Sequence, residues 1–235
     1  MVLSPLADAD RIERSGAAGL TAAQDLSDPR WRARLEGLLA AGGAAGADLV
    51  EIYLARTNHL GAQAEQDVIT SVSPAFGSGA GIRVFRGRHD GFVSTNDLSE
   101  AGLLSALDQA LGMLGLARAG GGGVQAGSRR FEGLPDLRDH GTGKDDWLRR
   151  CPDLTTACSR LLEGTARLQQ HGRHLQTRRG SYARDWQEVL VAASDGTFSR
   201  DVRLHQSLGL SVLMADADHR ASLGRRYGSS SRPDD

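Results

Sequence analysis

The chain has 235 residues, 28 of them Lys or Arg and 29 Asp or Glu, with 40% hydrophobic residues. A chain of this length buries about 70% of the surface exposed by its unfolded form, enough for one large or two small domains. The near-cancelling charges exclude a general electrostatic pull toward nucleic acid or an anionic membrane, so neither is expected as a direct partner. Lys144 is the single lysine; arginine's forked donors suit anions, although GC-rich codon usage accounts for the bias equally well. The two cysteines, Cys151 and Cys158, are too few for a disulfide framework and lack C-x-x-C spacing, so they read as small buried or partly buried thiols. No charged-then-apolar leader stands at the start, and no apolar run nears the ~18 residues that would span a bilayer. A cytoplasmic location is therefore expected.

Residues 1–27 show no sustained period, and Ser27-Asp28-Pro29 forms a helix entrance. Trp31, Leu35, Leu38 and Leu39 at helical spacing predict a helix over 29–41 that stops in the Gly42, Gly43 and Gly46 cluster. Residues 48–57, DLVEIYLART, read as a strand, and 60–72 as a second strand exposed on one face. Ile82, Val84 and Phe85 supply a third strand and Phe92 and Val93 a fourth, with turn chemistry at Asp90-Gly91. Asp97 and Glu100 form a capping-box pattern before a helix whose face carries Leu103, Leu107, Leu111 and Leu114.

Gly120 to Gly123 and the polar stretch to Lys144 read as a linker. Beyond it, Trp147 and Leu148 start a helical pattern that Pro152 interrupts. Leu154, Cys158, Leu161, Leu162, Thr165 and Leu168 carry the main helix. From Leu175 the period becomes two. Asp195-Gly196 predicts a hairpin between 189–193 and 198–204, and a second reversal is expected near Asp216 to Asp218. The fold class is α+β: antiparallel sheets with covering helices, in two subdomains joined by the Gly-rich linker. The expected divisions are an N-terminal segment 1–28, an α+β domain 29–119, a linker 120–144 and a helix-plus-meander region 145–235.

Gly77, Gly79 and Gly81 have the spacing G-x-G-x-G with a strand following, not the G-x-G-x-x-G before a helix that cradles a pyrophosphate, so they read as strand architecture. A nucleotide- or phosphate-binding enzyme at this turn is the weakest of the rival functions. Ser94, Thr95 and Asn96 lack a nucleophile elbow and any partner placed by sequence, and read as the end of a strand. None of the seven histidines is followed by Glu, which a zinc-binding His-Glu helix requires. His171 with His174, and Asp216 with Asp218 and His219, read as solvated polar residues, as do Arg225, Arg226 and Arg232.

Taken together, GAGIRVFRGRHDGFVSTNDLSEAGLLSALDQAL resembles the N-terminal signature of the TldD/PmbA family, and EVLVAASDGTFSRDVRL with LSVLMADADHRASLGRRYGSS resembles its central region. The resemblance covers about residues 48–232. It implies a zinc metallopeptidase system that processes small or unfolded peptides, built from paired related subunits in a homo- or heterodimer. The family's metal motif, His-Glu, three residues and His, falls beyond the position equivalent to Asp235. No catalytic or metal-binding role therefore carries over to any residue here, and zinc is expected only in a full-length member. The signature positions Gly79, Gly81, Arg83, Gly91, Phe92, Ser94, Thr95, Asn96, Asp195 and Gly196 are expected to be structural. The resemblance thus implies the N-terminal part of a metallopeptidase, inactive alone, with exposed apolar faces or strand edges that favour association. The alternative is a non-catalytic binding or scaffold subunit that pairs with a full-length homologue.

Overall fold

Side chains along β1 (Leu49–Glu65) alternate between burial and exposure for nearly the whole strand, and that alternation organises the molecule. The computed structural model describes residues 26–118, 154–170 and 175–229. The other elements are α1 (Arg30–Ala44), β2 (Val68–Arg86), β3 (His89–Thr95), α2 (Glu100–Gly112), α3 (Leu154–Gln169), β4 (Leu175–Ala193), β5 (Phe198–Ala215) and β6 (Arg220–Ser229). All six strands form one antiparallel sheet in the order β3-β2-β1-β4-β5-β6.

The sequence led us to expect more than one sheet, and the structure corrects that expectation. β1 and β4 pair from Glu51↔Ala193 to Glu65↔Arg179, joining the two meanders through the middle of a single sheet. The expected linker, 120–144, lies outside the described residues, as do Trp147, Leu148 and Pro152.

Several boundaries also move. The strands expected at 48–57 and 60–72 are replaced by β1 running unbroken to Glu65 and a reversal at Gln66-Asp67. Gln66 takes a positive φ of 56°. β4 holds that turn: the Gln66 N–H donates to the Arg178 carbonyl at 2.8 Å, and Arg178 Nε donates to Gln66 Oε1 at 2.9 Å. The next reversal lies at Gly87-Arg88 with Gly87 at φ 59°, so Asp90 and Gly91 belong to β3 itself. The α2 cap is Ser99, whose hydroxyl accepts from the Gly102 N–H at 3.1 Å, while Asp97 accepts from the Ser99 N–H one step earlier. Gly42 and Gly43 continue α1, which ends before Gly46 at φ 95°. The hairpin at Asp195-Gly196 joins β4 to β5, with Gly196 at φ 104°.

The helices cover one face of the sheet in two places. α1 and α2 place Trp31, Leu35, Leu38, Leu103, Leu107 and Leu111 over Val50, Ile52, Leu54, Ile82, Val84 and Leu190. α3 places Leu154, Cys158 and Leu161 over Leu60, Ala62, Ile69 and Tyr182. Each fully buried leucine contributes about 1.5–3 kcal/mol, so the covered face is where stability concentrates. Gly91 lets β3 approach α2 closely; a Cβ there would stand 2.4 Å from the Ala110 carbonyl oxygen.

Between the two apolar clusters the same face carries ions. Arg56 faces Glu188 across the β1–β4 pair, with Nη1 3.3 Å from Oε2, and Arg200 of β5 reaches Oε1 through Nε at 2.9 Å. The Glu188 side chain has no exposure and the Arg56 side chain 5%. The Arg56 guanidinium also lies over the Trp186 ring, 5.7 Å from its centre.

Candidate functional site

Among the described residues no helix covers β6, and the two faces of the sheet there differ in chemistry. On the helix side, the register Leu208↔Tyr227 and Val212↔Leu223 places large apolar side chains on one shelf. Leu223 and Tyr227 are each 66% exposed, and Leu208 and Met214 36%. Where the shelf meets α3, a groove of about 250 Å³ is lined by Ala157, Tyr182, Leu208 and Tyr227. β6 is an edge strand. Among the described residues no strand pairs with its outer side, which leaves those backbone groups available to another extended segment.

The opposite face is polar and floored by small residues. At the end of the sheet near the Gln66 turn, one row across the strands runs Gln63, Ser181, Gly209, Arg226, and the next runs Glu65, Arg179, Ser211, Gly224. Together they line a concavity of about 590 Å³. Arg226 lies across its floor, with Nε 3.8 Å from the position a Gly209 Cβ would take, and Ser181 Oγ stands 2.7 Å from the same point. Arg179 makes a long, exposed contact with Glu65, 3.4 Å from Nε to Oε2. Farther along this face His59 Nδ1 and Asp185 Oδ1 are 2.6 Å apart on β1 and β4.

The signature positions lie mainly at the far end of the sheet. Gly79 and Gly81 are interior to β2, and the missing side chain at Gly81 leaves room for the Phe92 ring, which would stand 3.0 Å from a Cβ there. Asn96 Oδ1 would stand 3.2 Å from a Cβ on Gly79. Arg83 Nε donates to Asp90 Oδ2 at 2.8 Å and its guanidinium lies over the Phe85 ring. Thr95 Oγ1 accepts from the Asp97 N–H at 3.0 Å, and Ser94 pairs with Gly81 across the ladder. The structure brings Gly79, Gly81, Phe92, Asn96 and their neighbours together around β2–β3. Asp195 and Gly196 sit apart from them at the β4–β5 turn.

Several carboxyl groups are held below the usual carboxylate range by their donors: Asp97 by Ser99, Asp195 by the Thr197 N–H, Asp108 by Arg118 and Asp28 by Arg30. Among the described residues no three His, Cys, Asp or Glu side chains converge to hold a metal ion. Asp216 Oδ1 instead accepts from the Asp218 and His219 N–H groups and closes the β5–β6 turn. His171 and His174 lie outside the described residues.

Residues 50–114 match the sequence model of PmbA/TldA metallopeptidase domain 1, and residues 150–235 that of the PmbA/TldA metallopeptidase central domain. The chain belongs to the PmbA/TldD metallopeptidase family. Three solved structures share its fold. A proposed modulator of DNA gyrase from Thermotoga maritima has a TM-score of 0.64 at 13% identity, with 86% of this chain aligned to 44% of that one. TldE from Thermococcus kodakarensis gives 0.58 at 16% identity, over 86% and 44%. A proposed modulator of DNA gyrase from Bacteroides thetaiotaomicron gives 0.58 at 14%, over 87% and 45%. Comparison with curated protein sequences finds no match. The chain thus spans less than half the length of these solved structures. Among the described residues no helix is long and apolar enough to cross a membrane.

Sequence reasoning missed the Arg56–Glu188–Arg200 cluster and the Arg179 and Arg226 concavity. Alternation sets Arg178, Tyr182, Arg184, Trp186 and Glu188 of β4 on one face, but only the structure shows that face to be the buried helix side.

Proposed function

We propose that this chain is the architectural, non-catalytic part of a PmbA/TldD-type metallopeptidase. Its sheet supplies a subunit-contact surface and one wall of the space that admits extended peptides, while metal chemistry resides in protein outside these residues. The partner is a homologous subunit, in a homo- or heterodimer, and the setting is the cytosol. The carrying observation is the shelf of Leu208, Met214, Leu223 and Tyr227 beside the β6 edge, both of them uncovered among the described residues. Large apolar side chains at this exposure, beside unpaired strand backbone, are characteristic of contact surfaces. The reading is consistent with a chain that spans 44–45% of its solved relatives.

The test is to purify the 235-residue chain alone and together with a full-length homologous subunit, each with zinc supplied. The chain alone is expected to leave an unstructured peptide intact, and to sediment with the homologue at a fixed stoichiometry. Stoichiometric zinc on the isolated chain, with peptide cleavage that a chelator stops, overturns the proposal.

A further inference from the structure

The polar concavity on the helix-free face has the features of a small anion site, and none of the signature positions lies in it. The guanidinium groups on this face are those of Arg179 from β4 and Arg226 from β6, with β5 between them contributing no bulk at Gly209 and only a hydroxyl at Ser211, while Arg225, in register with Leu210, brings its carbonyl oxygen to 3.8 Å from the Gly209 Cβ position. Strands ~4.8 Å apart and a two-residue offset place the Arg179 and Arg226 Cα atoms roughly 12 Å from each other, a span that two arginine side chains close from either end. Arg226 already leans inward: its Nε overlies Gly209 rather than solvent beyond the edge, and Ser181 Oγ points over the same residue from β4. The Gly209 vacancy therefore has a guanidinium on one side and a hydroxyl on the other. Gln63 and Ser211 add further polar groups on the rim.

We infer that this concavity binds a single carboxylate, and that on the peptide-wall reading above it receives the C-terminal carboxylate of a short peptide. Forked arginine donors suit a planar two-oxygen acceptor, and charge-assisted hydrogen bonds are about twice as strong as neutral ones. Glu65, 3.4 Å from Arg179, sets the charge class. One incoming negative charge leaves the local sum of Arg179, Arg226 and Glu65 balanced, whereas a dianionic phosphate makes it negative. The loose Arg179–Glu65 contact is given up at little cost, because exposed ion pairs contribute only about 0–1 kcal/mol.

The experiment is calorimetric and NMR titration of the full 235-residue chain with N-acetyl-triglycine, with its C-terminal amide, and with inorganic phosphate. The free acid is expected to bind at least tenfold more tightly than the amide and more tightly than phosphate, and to weaken as salt rises. Arg226→Gln and Arg179→Gln each reduce affinity for the acid by about tenfold, in keeping with the loss of one charged hydrogen bond. Gly209→Val fills the floor and abolishes binding with both arginines present. Equal affinity for acid and amide, tighter binding of phosphate, or unchanged affinity in Arg226→Gln overturns the assignment. Arg179 and Arg226 are both exposed, so unchanged melting curves separate lost binding from lost folding. Binding is read on the isolated chain and subunit assembly is read separately, so either proposal can fail while the other stands.

Discussion

Arg56 and Glu188 face each other directly across the β1–β4 pair, 3.3 Å from Nη1 to Oε2, and both side chains are almost wholly removed from water. One lies in the part of the chain that matches the family's first domain and the other in the part that matches its central domain. Replacing Glu188 with Ala leaves Arg56 and Arg200 without their shared acceptor in the interior. The expected cost is roughly 3–5 kcal/mol in urea unfolding, the range for breaking a buried ion pair from one side. Adding Arg56→Met to Glu188→Ala should restore part of the loss, because the two sites couple. Strict additivity of the two changes would show that the ions act independently.

Two glycines should respond to alanine in opposite directions. Gly91→Ala drives a methyl group to 2.4 Å from the Ala110 carbonyl oxygen, which backbone cannot relieve without moving α2 off the sheet. A loss of about 1–3 kcal/mol is expected, as for other overpacked sites. Gly43→Ala meets nothing within 4 Å and lies in the exposed last turn of α1. A gain of up to ~1 kcal/mol follows from helix propensity and the reduced freedom of the unfolded chain. Thermal unfolding of both variants distinguishes contact from propensity.

The carboxyl groups of Asp28, Asp97, Asp108 and Asp195 are all held low by hydrogen bonds to their charged forms, from Arg30, Ser99, Arg118 and Thr197. In the unfolded chain these groups titrate at the ordinary value of about 4. Their stabilising effect is thus complete above that value and is lost as pH falls below it toward the lowered folded values. The urea midpoint should be insensitive to these groups from pH 8 to pH 5 and fall below about pH 4. Asp195→Ala should remove part of that acid sensitivity while lowering stability at neutral pH. An unaltered acid limb in the variant would show that the β4–β5 turn takes no part in it.

The shelf beside β6 should make the isolated chain self-associate and bind a dye that reports apolar surface. Leu223→Ser with Tyr227→Ser, both 66% exposed, should reduce dye binding and the sedimentation coefficient without lowering the unfolding midpoint. A monodisperse monomer that binds no dye before substitution would count against the shelf as a contact surface.

Much of the fold is legible in the residues. The helix faces of α1, α2 and α3 follow from leucine spacing, and the β4–β5 hairpin from Asp195-Gly196. The β1–β2 hairpin is not legible, because its turn is Gln66-Asp67, with no glycine or Asn-Gly to mark it and with Arg178 supplying the hold from far along the chain. Pro74 and three alternating glycines inside β2 likewise disguise a 19-residue strand. Charged residues at alternate positions of β4 suggest exposure to solvent, yet Arg184 and Glu188 are buried on the helix side. The anion concavity depends on register across four strands, which no local pattern encodes.

The β1–β4 ladder gives the covalent chain an unexpected secondary status. Every step from Glu51↔Ala193 to Glu65↔Arg179 joins strands from the two family regions, so each region alone would present a long raw edge at the place where its counterpart belongs. The pair behaves as halves of one object held by hydrogen bonds, a core lock at Glu188 and the Gln66–Arg178 clasp. A chain cut between Leu116 and Leu154 would keep every one of those connections, so two polypeptides encoded separately could reconstitute the same sheet.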